Sequence, residues 1–436
     1  MNKAQQRTTV SRRAMVQGSV GAGLAASAFA VPNINLLARQ SDEVSFMNWD
    51  TVEGTPFETA LNAFEEKTGI AVDVQPTPTQ DYETKFRTLL ASGSPPDIMR
   101  INDNLVREIA ELDQLHDLDP YLAESDVPQE SYNESILAFA RTPDGTLPSW
   151  VIGSRPRLLF YNVDMFEAAG VEPPPSSWTG EGWMWEDFLE TAQQLTVEGE
   201  QWGALVYFDT GYEQTWLVNN GVESGIYSED GKEFTMASPK GIEAIQWATD
   251  LTCKHGAQPP WAQLQQDDAG IQLFAAGQIG MYYAGMDAVP YLHENAGDFT
   301  WDIAPVPANV DQATESSLIV FCIPKDAGNP DGAWALLEYL GGEEAGQIFA
   351  EAGQFIPLWL DASQYIQPSD QPPAHIGLFG EAAAHNTFVS PSATAQGRAR
   401  MIYRQQLDLV YTCQRSAEEV LTSVKDQVEE ILAEES

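Results

Sequence analysis

Tryptophans and short polar side chains recur where apolar runs end. Trp49-Asp50 follows VSFMN, Asp103-Asn104 lies just past DIMRI, and Asp287 lies just past QIGMYYAG. Trp150 closes DGTLPSW, Arg155 opens Arg155-Pro156-Arg157, and Tyr161 closes LLFY. Trp216 follows Asp209-Thr210-Gly211, and Trp359 closes IPLW. Aromatic faces stack on the C–H faces of a polyhydroxylated molecule, while carboxylates and amides bond its hydroxyl edge. This is chemistry for holding a solute. The ten residues are therefore candidates for ligand contact.

Residues for bond-breaking chemistry are harder to find. The five His (116, 255, 293, 375, 385) are scattered and show no H-E-x-x-H or other metal spacing. Neither G-x-S-x-G nor a Walker A loop occurs. Cys253, Cys322 and Cys413 form no C-x-x-C, so one disulfide and one free thiol are expected in an exported chain, with the pair left open. No cofactor, no metal site and no catalytic residue are expected. With 64 acids some carboxylate pair always looks catalytic. A secreted glycoside hydrolase, which also uses Trp and paired carboxylates, is therefore the alternative enzyme reading.

The chain has 436 residues, enough for two domains. Its 64 Asp and Glu against 22 Lys and Arg give a formal charge of −42. Such a surface repels phosphate backbones and anionic lipid, which argues against a nucleic-acid partner. The same charge would suit a cationic ligand, so a metal or polyamine binder is a second alternative. Beyond the N-terminus no run is long and apolar enough for a membrane span.

The N-terminus reads as an export label. In SRRAMV, Arg12 and Arg13 precede a mildly apolar segment from Ala14 to Ala30, which ends in Ala28-Phe29-Ala30. A twin-arginine signal peptide over residues 1–30, with a linker over 31–40, fits this pattern. No Cys follows the apolar segment, so a lipid anchor is not expected; whether the segment is cleaved or kept as a tether stays open. Its removal takes four bases and no acid, leaving 64 acids against 18 bases, a net of −46.

From Val44 strand and helix signals alternate. VSFMN (44–48), IAVDV (70–74) and DIMRI (97–101) read as buried strands. Between them Phe57, Ala60, Leu61 and Phe64, then Tyr82, Phe86, Leu89 and Leu90, mark amphipathic helices. This order implies a largely parallel sheet, whose ligand site lies beyond the carboxyl ends of the strands. LLFY (158–161) is a strand, and Asn162 and Gly170 are the caps of a helix with Val163, Phe166 and Ala169 on its apolar face. Trp185, Trp247 and Trp334 belong on helix faces or starts and are expected in the core, while Trp178 and Trp183 are unassigned.

Several blocks together resemble the extracellular solute-binding proteins of ABC importers, in the sugar-binding branch that includes maltose-binding protein. They are FEEKTGIAVDV (64–74), LLASGSPPDI (89–98), DGTLPSW (144–150), LLFYNVDMFEAAGVEPP (158–174), FAAGQIGMYYAG (274–285), WDIAPVPAN (301–309) and IPKDAGNPDGAWALLEYL (323–340). The resemblance implies a two-lobed α/β periplasmic-binding-protein fold of type II, closing by hinge motion on a ligand between the lobes. Lobe one would be 41–155 plus 310–354, and lobe two 156–309 plus 355–436. Crossings are expected near 154–158, 307–310 and 353–357. The implied role is an exported, monomeric receptor that captures a sugar, oligosaccharide or related polyol and delivers it to the permease. No catalysis is implied.

Overall fold

The computed structural model describes residues 43–434, except 50, 103–104, 126, 143–144, 179–182, 208–212, 229, 267, 367–369, 386 and 389–393. The proposed export segment, Asp50, Asp103 and Asn104 thus lie outside the described residues. Among these, no helix is long and apolar enough to cross a membrane.

Among the described residues ten strands form one curled sheet: β1 (Glu43–Asn48), β2 (Ala71–Pro76), β3 (Ile98–Ile101), β4 (Trp150–Asn162), β5 (Trp202–Leu205), β6 (Ile279–Gly285), β7 (Trp301–Ala304), β8 (Thr314–Cys322), β9 (Ile356–Pro357) and β10 (Thr387–Phe388). The main order is β2-β1-β3-β8-β4-β6-β5. The sheet is mixed. β1 runs parallel to β2 and β3, and β5 to β6. β8 is antiparallel to both β3 and β4, and β4 is antiparallel to β6, β7 and β9. The expected parallel sheet therefore holds at each end but not in the middle, where chain returning between two cores must run the other way.

Local signals set the helices. Pro56–Thr68 buries Phe57, Ala60, Leu61 and Phe64 and ends on Gly69 at φ 74°. Val163–Ala169 starts where Asn162 Oδ1 accepts the Met165 N–H at 3.0 Å and ends on Gly170 at φ 67°. Its buried residues are Met165 and Phe166, so the face is turned from the expected one and Ala169 is exposed. Trp185 and Trp334 are buried and Trp247 is partly buried, as expected, and Trp185 stacks on Trp247 at 4.0 Å. Trp183 joins the same core.

Two apolar cores result. One is drawn from Val44–Ile152 and Leu318–Leu358, with Phe46, Phe57, Phe321, Phe349 and Phe355 in mutual contact. The other is drawn mainly from Leu158–Val306 and Ile366–Leu432. β4 serves both: Trp150–Ile152 belong to the first and Leu158–Tyr161 to the second. A disulfide joins Cys253, the last residue of the helix Pro239–Cys253, to Cys413, just past the helix Thr394–Tyr411. Cys322 is the free, buried thiol.

Candidate functional site

The stretch of β4 between the two cores carries Arg155, Pro156 and Arg157. Each neighbour adds one element. β6 ends beside it, with Gly285 paired to Arg157, and Asp287 follows two residues on. Arg155 Nη1 lies 3.2 Å from Asp287 Oδ2. The Arg155 side chain is 14% exposed and the Asp287 side chain 46%. A Cβ built on Gly285 would fall 2.3 Å from Asp287 Oδ1 and 3.5 Å from Arg157 Nη1. The missing side chain lets this carboxylate fold back over the strand.

Partial desolvation works to raise the Asp287 carboxyl pKa. Arg155, then Arg157, the residue's own backbone N–H and finally Arg100 outweigh it, and the carboxyl is held below its usual range. Arg100 is the weakest of these influences. Arg100 lies in β3, where its Nη1 donates to Asn48 Oδ1 at 3.2 Å. Its guanidinium sits 3.9 Å from the centre of the Trp49 ring. The Tyr82 hydroxyl donates to the Arg100 carbonyl at 2.8 Å.

The backbone of Arg157 is fixed by a directed relay. Thr314 Oγ1 donates to the Arg157 carbonyl at 2.6 Å. Its single proton is then used, so the buried Tyr283 hydroxyl, 3.2 Å away, must donate to it. Tyr283 in turn accepts from Thr215 Oγ1 at 2.6 Å. The relay anchors the crossing strand to the second core.

Of the residues named from sequence, Arg155 and Asp287 thus meet, with Arg157 beside them, while Trp49 packs on Arg100. The sequence analysis placed Arg157 in one triplet with Arg155. It passed over Arg100, whose signal was a base inside the otherwise apolar strand DIMRI.

Four other candidates sit elsewhere. Trp150 is fully buried in the first core, against Trp334 at 5.0 Å and Tyr132 at 5.3 Å. Trp216 is 1% exposed, packs on Tyr283 and Trp247, and donates its Nε1–H to the Val206 carbonyl at 3.0 Å. In this structure neither ring offers a ligand a free face. Tyr161 is also buried, edge-on to Phe166, and its hydroxyl is pushed up to about 12 by burial and by Asp302. Beyond a strand's carboxyl end was the expected place for a ligand. β4, however, begins in the first core and passes the crossing before it ends. Tyr161 pairs with Met281, near the start of β6, whereas Arg157 pairs with Gly285 at its end. Four residues of strand put Tyr161 about 13 Å beyond Arg157. Trp359 is partly buried against the first core and meets Tyr132 edge-on at 5.8 Å.

Among the described residues no group of three or more His, Cys, Asp or Glu side chains is placed to hold a metal ion.

A mixed sheet shared by two cores, with polar side chains at the join, defines a two-lobed α/β binding protein of the periplasmic type. Residues 48–347 match the model of the bacterial extracellular solute-binding proteins, and the chain belongs to that family. An extracytoplasmic location follows from the family.

A binding protein of Brucella abortus (strain 2308) is 24% identical over 320 residues, 70% of this chain and 73% of that one. The ABC substrate-binding protein of Listeria monocytogenes in complex with cycloalternan superimposes with a TM-score of 0.81. It is 22% identical, and the match covers 90% of this chain and 99% of that one. An ABC transporter solute-binding protein of Thermotoga lettingae bound with alpha-D-tagatose gives a TM-score of 0.77 at 20% identity, covering 90% and 100%. At these identities the solved structures show the fold.

Proposed function

We propose that this protein is the substrate-binding receptor of an ABC importer, capturing a sugar, oligosaccharide or related polyol and passing it unchanged to the permease. One observation carries the reading: a single strand, β4, runs through both cores and bears its charged residues between them. Lobes joined this way can rotate about the crossing while each keeps its own core. The Listeria and Thermotoga lettingae proteins of the same fold are described with cycloalternan and with tagatose, which supports a carbohydrate as cargo.

The proposed contacts are Trp49, Asp50, Asp103, Asn104, Arg155, Asp287 and Trp359. Trp150, Trp216 and Tyr161 support the lobes from within. We assign lobe one to 41–155 with 310–354 and lobe two to 156–309 with 355–436, and we expect a monomer. Export by the twin-arginine route is tested by Arg12→Lys with Arg13→Lys, which should hold the protein in the cytoplasm.

The test of function is a thermal-shift screen of residues 31–436 against monosaccharides, oligosaccharides, polyols, polyamines and metal ions. A one-site ligand at 100 times its dissociation constant adds about 2.7 kcal/mol of stability. A shift with one carbohydrate class, the sugar recovered intact, is the expected result. A cleaved sugar would make the protein an enzyme, and shifts with cations alone would remove the carbohydrate reading.

A further inference from the structure

We infer that Asn219 is a positioning residue for lobe closure: it clamps the segment between β7 and β8 to lobe two, so that this connection bends only at Ser316 and Ser317. The inference deepens the receptor reading above and rests on it.

The segment leaves β7 in the second core and returns to the first core as β8. From sequence the crossing was expected near 307–310. Those residues are instead tied to the second core's side. The Ala308 N–H donates to the Trp183 carbonyl at 2.8 Å, and the Trp185 N–H donates back to the Ala308 carbonyl at 2.9 Å. The helix Glu213–Asn219, whose Trp216 and Leu217 lie in the second core, then takes over. The last carbonyls of a helix find no donor within it and need one from outside. The Asn219 carbonyl receives two, the N–H groups of Val310 at 2.8 Å and Asp311 at 3.0 Å.

The Asn219 side chain adds a third hold. It is fully buried, and its Nδ2 donates to the Ala313 carbonyl at 2.6 Å and to the Thr215 carbonyl at 2.9 Å. Both partners are acceptors, so only the amide nitrogen can face them, and both of its protons are used. One residue thus fixes the backbone at Val310, Asp311 and Ala313. Its neighbour Asn220 accepts from Asn309 Nδ2 at 2.6 Å. Thr215, on the same helix, accepts the Glu315 N–H on its Oγ1 at 3.1 Å.

Leu318 already belongs to the first core. Ser316 and Ser317 lie between, and they pair with Pro156 and Arg155, which stand between the cores in β4. Both strands therefore change lobes at one level. A hinge needs only a few residues to absorb the change in φ and ψ. A clamp that reaches Glu315 leaves these two in β8, and it moves the lobe boundary assigned above from 310 to 316.

The consequence is functional. A short hinge limits how far and in which direction the lobes part. A solute that binds one form gains apparent affinity in proportion to that form's population. Asn219 sets this population without touching the solute.

The experiment is a spin-label distance measurement on the full chain without solute. Nitroxides are placed on Glu66→Cys, exposed in lobe one, and on Glu190→Cys, exposed in lobe two. The native disulfide and the buried Cys322 do not react with the label. With Asn219→Ala the share of molecules outside the wild-type distance should rise about 5-fold, which is what one hydrogen bond carries. Leu421→Ala empties a buried site on the helix Ala417–Glu434, which makes none of these bonds. It should lower the melting temperature and leave the distances as in wild type. Asn309→Ala, a milder change at a half-buried residue, should broaden the distances in the same way, and it keeps the test decisive if Asn219→Ala folds poorly. Wild-type distances in both asparagine variants would overturn the inference, and so would equal broadening by Leu421→Ala. Neither result touches the receptor reading, which stands or falls with the thermal-shift screen.

Discussion

Asp287 Oδ2 lies 3.2 Å from Arg155 Nη1, at the point where β4 passes from one core to the other. The carboxylate comes from the end of β6 and the guanidinium from the crossing strand itself. The pair joins the strand that links the lobes to the second lobe's own framework.

That pairing has a pH signature. The folded-state carboxyl pKa of Asp287 is lowered, because the three arginines outweigh partial desolvation. Its contribution to stability is therefore complete above the unfolded value of about 3.9 and is lost as pH falls through the lower folded-state value. The side chain is 46% exposed, so solvent screening keeps the contribution modest. Asp287→Asn should cost about 1–2 kcal/mol at pH 7, between an exposed and a fully buried pair. Urea midpoints of wild type and variant should converge towards pH 3. A constant gap down to that pH would show that the charge is not what the substitution removes.

The tryptophans should separate into two kinds. Trp150→Ala and Trp216→Ala empty fully packed sites and should each cost about 3–5 kcal/mol in denaturant melts. Trp49, partly buried beside Arg100, should behave differently. Trp49→Ala should lose about 10-fold or more in ligand affinity with a much smaller loss of stability. Equal melting losses for all three would place Trp49 with the core.

Gly153 marks a tight approach beside the crossing. A Cβ there would meet the Phe355 ring at 2.3 Å and the Ile356 carbonyl at 2.6 Å. The latter is backbone of β9 and has little room to yield. Gly153→Ala should cost about 1–3 kcal/mol. Because β9 pairs with β4 at Gly153 and Ser154, it should also shift the balance of open and closed forms in small-angle scattering. An unchanged melt and an unchanged scattering curve would argue against any close contact.

The Cys253–Cys413 bond closes a span of 160 residues within the second lobe. Its reduction, or Cys253→Ser with Cys413→Ser, should cost about 2–4 kcal/mol. Cys322 is wholly buried, with its thiol pKa pushed up by burial. Thiol titration of the native oxidised protein should find no reactive group, and titration in denaturant should find one. Two reactive thiols in the native state would overturn the pairing.

Much of the fold was legible in the sequence. Asn162 and Gly170 bound their helix because capping acts over three or four residues, and Phe57, Ala60, Leu61 and Phe64 fall on one buried face because helical period is local. Trp49 and Asp287 could be picked out because each stands just past an apolar run, a local feature.

Tertiary structure alone decided the rest. Trp150, Trp216 and Tyr161 carry the same ring chemistry as Trp49, yet packing from other elements covers them, and nothing beside them in the chain records that. The direction of β4 past the crossing follows from its antiparallel pairing with β6 and β8, contacts made with residues more than a hundred positions away. Arg100 meets the Trp49 ring and Asn48 because β3 pairs with β1. Local sequence determines which elements form and where they stop. Which strand lies beside which, and so which charges meet at the crossing, is set by burying two apolar cores at once.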